Sequence, residues 1–230
     1  MAYSNFLGQA QGVLKSDALL LPLDRFYAEL LAGGSELRTA MAAKSRTGFA
    51  LRTLLADADA TKRVVELAST FVKTQRSPVV LQVASPLRWL SATDALVGRV
   101  AELDADDADT ASMYVADLMR GFAALPLAGI LLDDRMPVGS DPGIAVGLDS
   151  YSPIANVTEH YGWTLALRRE DGVSVSVSAG STVGVPILAG HWLGEASASP
   201  ALPPGDFLMG EIPAGAVPET VMSRVSQLGA

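Results

Sequence analysis

Two short apolar runs, residues 78–86 (PVVLQVASP) and 129–134 (GILLDD), set the frame of the chain. Val79, Val80, Leu81 and Val83 are too few for a helix and rich in β-branched side chains, so the first run suits a buried strand. Gly129, Ile130, Leu131 and Leu132 form the second, which ends in two carboxylates. The long polar and helical stretch between them predicts a parallel βαβ unit with a right-handed crossover. Ligands in parallel α/β folds gather beyond the carboxyl ends of the strands. Ser85, Arg88 and Trp89 follow the first strand and Asp133, Asp134 and Arg135 close the second, so that edge is the expected site.

Upstream the period changes to that of helices. Asp24 is a candidate N-cap for a helix carrying Phe26, Leu30 and Leu31, stopped by Gly33 and Gly34. Further helices are expected from Ser35, over about 47–56, and from Thr61, where Val64, Val65, Leu67, Ala68, Phe71 and Val72 are expected on one face. Residues 18–23 read equally as a first strand or an apolar lead-in, with Pro22 against a central strand. Residues 1–76 are thus a mainly helical lead-in, and 77–230 carry the core strands and helices of the same domain.

Downstream, Thr93-Asp94 is expected to start a helix. The acidic segment 102–109 does not match a calcium loop. It reads instead as the start of a helix with Val115, Leu118, Met119 and Phe122 on one face, acidic side chains favouring the positive helix end. Residues 136–149 form a Gly/Pro-rich loop, and Ser152-Pro153 opens a helix to Tyr161. A strand over 163–168, an Asp171-Gly172 turn and alternating Val173, Val175 and Val177 predict a late β-hairpin. A strand over 184–188, a loop over 194–205, a strand over 207–212 and an amphipathic helix over 218–228 complete the chain.

Composition narrows the function classes. At 230 residues and 49% hydrophobic, one domain with a substantial core is expected. The net charge of −8 argues against a nucleic-acid partner. No apolar stretch is long enough for a membrane span and no secretory signal opens the chain, so a cytoplasmic protein without a membrane partner is expected. With no cysteine, thiolate chemistry and cysteine-ligated metals are excluded. The phosphate-loop, G-x-G-x-x-G and G-x-S-x-G patterns are all missing, which lowers nucleotide-dependent and serine-hydrolase readings. No cofactor and no metal are expected. The apolar composition is compatible with a homo-oligomer.

Asp133 and Asp134 are the candidate catalytic carboxylates, able to hold an amine or a metal or to act as a base, or else to cap a turn and meet solvent. His160, beside Tyr161, is the candidate that would orient a substrate or simply pack. Ser85, Arg88 and Trp89 could clamp and stack on an anion, although a core Trp89 and a surface Arg88 fit as well. Arg135, His191 and Glu211 complete the candidate substrate-binding set.

Three of these stretches, 78–90 (PVVLQVASPLRWL), 129–134 (GILLDD) and 207–213 (FLMGEIP), resemble the cobalamin-independent methionine synthase group and its uroporphyrinogen decarboxylase-like relatives. The resemblance implies a (β/α)8 TIM-type barrel, here shortened or degenerate. It aligns Asp133-Asp134-Arg135 with the family's Asp-Glu-Pro substrate motif. Family methionine synthases activate a thiol on zinc held by histidine and cysteine, so a chain without cysteine is expected to lack that site. Two functions follow: a metal-independent enzyme acting on a small polar or anionic substrate, or a non-catalytic binding or partner subunit.

Overall fold

The computed structural model describes residues 11, 14–100, 102–135, 144–177, 180–195 and 205–228. Its centre is one seven-stranded sheet whose strands lie in chain order. β1 (Leu19–Pro22), β2 (Val79–Ala84), β3 (Gly129–Asp133) and β4 (Thr164–Arg168) are parallel. β5 (Val173–Val177) runs antiparallel to β4, with the Arg169 N–H donating to the Gly172 carbonyl between them. β6 (Gly180–Ile187) is antiparallel to β5, and β7 (Phe207–Gly210) is parallel to β6. The sheet curls into a half-barrel.

The expected shortened or degenerate (β/α)8 barrel is thus α/β but not closed: β1 and β7 are the two edges of the sheet and, among the described residues, do not pair with each other. Alternation along the strands explains how an open sheet still has two faces to bury. Leu81, Val83, Ile130, Leu132, Leu165 and Leu167 point outward into the main core, under the helices. Val80, Leu131, Ala166, Val175 and Met209 point inward and fill the curl with a second, smaller core. Fully burying such side chains contributes about 1.5–3 kcal/mol each.

The helices covering the outer face are α1 (Asp24–Gly33), α2 (Ser35–Met41), α3 (Phe49–Leu55), α4 (Ala58–Thr74), α5 (Pro86–Leu96), α6 (Ala105–Arg120) and α7 (Ser152–Tyr161). Several boundaries differ from the sequence expectation: the helix expected from Thr61 begins at Ala58, with Asp57 as its cap, and the strands expected over 184–188 and 207–212 span Gly180–Ile187 and Phe207–Gly210. α5 begins at Pro86, not at Thr93, because Ser85 caps it with Oγ accepting from the Arg88 N–H at 3.3 Å and Pro86 occupies the first turn. Leu23 takes the N-cap position of α1, and Asp24 lies inside the first turn without a capping bond. In α6 the acidic segment is spent on a capping box between Asp104 and Asp107. Two further helices, α8 (Ala189–Leu193) and α9 (Pro218–Leu228), pack together through Ile187, Trp192 and Val221 as a satellite cluster. Most of the expected 136–149 loop and of the 194–205 loop lies outside the described residues; 148–151 form a single 3-10 turn.

Gly129 fixes the approach of β3 to β4. A Cβ there would meet the Thr164 carbonyl oxygen at 2.5 Å. Gly129→Ala is therefore expected to lower stability by about 2 kcal/mol, by overpacking against backbone that cannot step aside. Chemical denaturation measures this; an unchanged midpoint would contradict the β3–β4 packing.

Candidate functional site

The inward positions change from apolar to polar at the carboxyl ends of the strands. Two residues beyond Val80 comes Gln82, beyond Leu131 comes Asp133, beyond Ala166 comes Arg168, and beyond Met209 comes Glu211. Period-two alternation thus places four polar side chains in one layer above the inner core. Asp133 and Arg168 are register partners on neighbouring strands.

Asp133 is the hub. Its Oδ1 accepts from the Arg135 backbone N–H at 3.1 Å and from Arg135 Nε at 2.9 Å. Its Oδ2 accepts from Arg135 Nη2 at 2.7 Å and from Gln82 Nε2 at 3.1 Å, with Arg88 Nη1 at 3.3 Å. Arg88 also donates to the Asp133 carbonyl at 3.2 Å. Burial alone would raise the Asp133 carboxyl, but the Arg135 hydrogen bonds and the charges of Arg135 and Arg88 outweigh it and hold it below the usual range.

Glu211, just beyond β7, joins the far side of the curl to this hub. Arg168 Nη1 and Nη2 donate to its two oxygens at 2.7 and 2.9 Å, a bidentate pair. Arg135 Nη1 and Nη2 add contacts at 3.1 and 3.4 Å. Here too burial opposes ionisation, and the two guanidiniums prevail, lowering the Glu211 pKa. A second, smaller set lies alongside: Ser85 Oγ donates to Asp134 Oδ1, and Arg169 Nε stands 3.6 Å from Asp134 Oδ2. The Tyr151 hydroxyl is buried near both Ser85 and Asp134, yet it finds no hydrogen bond of ordinary geometry. Burial pushes its phenol pKa up.

Asp24 contributes a different kind of carboxylate to the same edge. It is half-buried at the start of α1, within the fields of Arg88, Asp133 and Arg135, and has no hydrogen bond or ion pair among the described residues. Burial dominates and raises its pKa.

The edge therefore gathers Ser85, Arg88, Asp133, Asp134, Arg135 and Glu211 from the expected set. It does not gather the others. Trp89 is a core side chain, edge-on to Tyr27 at 5.0 Å. His160 is exposed on the last turn of α7, which leads into the amino end of β4 and so lies at the opposite rim. His191 is buried in the satellite cluster with neither ring nitrogen bonded. Gln82, Arg168, Arg169 and Asp24 are the additions. Gln82 and Arg168 carried a signal, a polar residue at an inward position of an apolar strand; Asp24 looked like a helix cap.

Among the described residues, no group of three or more histidines, aspartates or glutamates is placed to hold a metal ion. No helix is long and apolar enough to cross a membrane among those residues. Two shallow depressions, of about 80 Å³ beside Asp94 and Arg99 and about 410 Å³ beside Phe26 and Arg63, lie away from the strand-end layer. Comparison of the chain with protein-family models, curated proteins and solved structures gives no match.

The arrangement is a charge-balanced layer: Arg88, Arg135, Arg168 and Arg169 face Asp24, Asp133, Asp134 and Glu211. Its pH response has a definite sign. The Asp133 and Glu211 pKa values lie below their ordinary 3.8 and 4.5, so on acidification the unfolded chain takes up those protons first. Their stabilisation is present above about pH 4.5 and is lost as pH falls through the lowered values. Asp133→Asn is expected to cost about 3 kcal/mol at neutral pH, because it takes the ion-pair partner from the partly buried Arg88 and one of two from Arg135. It should also flatten the acid limb of the stability profile. Urea unfolding across pH tests both; a variant with an unaltered acid limb would show that Asp133 is not the hub.

Proposed function

We propose that this chain is a non-catalytic binding protein, derived from the methionine synthase and uroporphyrinogen decarboxylase-like barrels after loss of the zinc site, whose strand-end edge holds a small polar or anionic molecule. The observation that carries this reading is the saturation of Asp133. A carboxylate accepting from a backbone amide, Gln82 and Arg135, with Arg88 in contact, is a poor proton acceptor at neutral pH. Asp134 is likewise engaged by Ser85 and Arg169, and Ser85 is fully buried as a helix cap, which removes it as a nucleophile. The open half-barrel supports the same reading, since a shortened barrel retains the ligand-binding edge without enclosing it.

A second reading, metal-independent catalysis on a small polar or anionic substrate, is favoured by one observation. Asp24 is a carboxylate of raised proton affinity, without a bonding partner among the described residues, at the edge where Arg88 and Arg135 would hold an anion. It would be the base, in place of Asp133 or Asp134.

Native mass spectrometry of the full chain, purified without chelator, separates the two. The binding reading expects a small polar or acidic molecule retained on the protein and released chemically unchanged after incubation with fresh chain. Conversion of that molecule, lost in Asp24→Asn, would overturn the binding reading in favour of the enzyme. The same spectra report the number of chains per particle.

A further inference from the structure

The contact between Glu211 and its two arginines has the form of a ligand complex. A carboxylate held by one bidentate guanidinium and two bonds from a second is the geometry by which proteins recognise free carboxylates. The cations are the buried part. The Arg168 side chain is 6% exposed and that of Arg135 26%, whereas that of Glu211 is 47% exposed, on the solvent side. A guanidinium as buried as Arg168 requires an anion beside it, whether or not that anion is Glu211.

The fork is also built independently of its occupant. Arg135 is fixed by three hydrogen bonds to Asp133, which is itself buried and tied to β2 through Gln82. Arg168 is fixed by its place at the end of β4, where its carbonyl accepts from the Asp134 N–H at 2.8 Å. Glu211 has weaker anchorage. It follows a four-residue edge strand in which Phe207, Leu208 and Gly210 are exposed and only Met209 is buried. Arg168 Nε, outside the Nη1/Nη2 fork, is buried without a hydrogen-bond partner among the described residues.

We infer that Arg135 and Arg168 form a binding site for the carboxylate group of a small molecule, and that Glu211 fills it as an internal stand-in that the ligand displaces. This rests on the binding reading given above and names its ligand class. A site occupied by its own chain has an apparent affinity reduced by the fraction of time it is free. Removing the stand-in should therefore expose the full affinity.

Acetate is the probe, at constant ionic strength against chloride, with binding followed by carboxylate NMR shifts and by Tm. Wild-type protein is expected to bind acetate weakly and saturably, with the Glu211 side-chain resonance moving as it leaves the fork. Glu211→Gln, which keeps the shape of the side chain, should bind at least about tenfold more tightly. Glu211→Ala should lose Tm and regain it on addition of acetate but not of chloride. Adding Arg135→Lys to Glu211→Gln should abolish the gain, since a lysine cannot complete the fork. Equal effects of acetate and chloride on both Glu211 variants would overturn the inference. So would a wild-type Glu211 resonance that never moves, which would leave Glu211 as a fixed strut. A small molecule still retained by the wild-type chain under either negative result would spare the binding reading and place its site elsewhere on the edge.

Discussion

A carboxylate buried at the end of a central strand is expensive to keep ionised, and the layout of the strand-end edge follows from how Asp133 is kept so. Desolvation works against the charge, and only several donors converging on two oxygens reverse the balance. Those donors come from separated parts of the chain: Gln82 within β2, Arg88 in the first turn of α5, and Arg135 two residues downstream. Each is thereby oriented. Arg135, held along one side by Asp133, presents its remaining N–H groups to Glu211, and Glu211 meets Arg168. One buried negative charge thus organises contacts reaching from β2 across to β7.

That reach matters because the sheet does not close. In a closed barrel the first and last strands are joined by a hydrogen-bonded ladder. Here β1 and β7 remain edges, and the inner curl is filled by a small apolar cluster that includes Met209 of β7. The Arg168–Glu211 contact lies one side-chain layer above Met209. Together they tie the last strand across the curl to β4, while the larger outer core under the helices needs no such closure. A half-exposed ion pair contributes modestly to stability on its own, so apolar packing carries most of the tie and the ion pair sets its alignment.

Much of this was legible from sequence. The runs containing Val79–Ala84 and Gly129–Asp133 announce two buried parallel strands, and alternation within them assigns each side chain to a face. Arg88, Asp133 and Arg135 stand out by position at or just after a strand end, whereas the expected last strand, 207–212, runs through Glu211. Their partnership was not legible. Arg135 and Glu211 are 76 residues apart, and only the degree of curl decides whether they meet. The same quantity decides closure, which strand count and spacing leave undetermined. Ser85-Pro86 is a helix start that the apolar residues after it disguised as the tail of a strand. His160 misled for a topological reason: a residue just before a parallel strand belongs to the opposite rim from one just after it.

Asp24 and Asp133 show how far neighbours, rather than residue type, set the chemistry of the edge. Both are carboxylates within reach of Arg88 and Arg135, and burial disfavours the charge of each. Asp133 has hydrogen-bond donors and falls below the ordinary range; Asp24 has none among the described residues and rises above it. Such a separation is how enzymes divide acid and base roles between like groups. Division of labour needs a second reactive group, however: at the edge Ser85 is buried as a helix cap and Asp134 is engaged by Ser85 and Arg169, while His191 is buried in the satellite cluster and His160 is at the far rim. On the binding function proposed above, that lone carboxylate beside the arginine fork would accept a hydrogen bond from a ligand's N–H or O–H, giving the edge an anion-binding side at Arg135 and Arg168 and an acceptor side at Asp24.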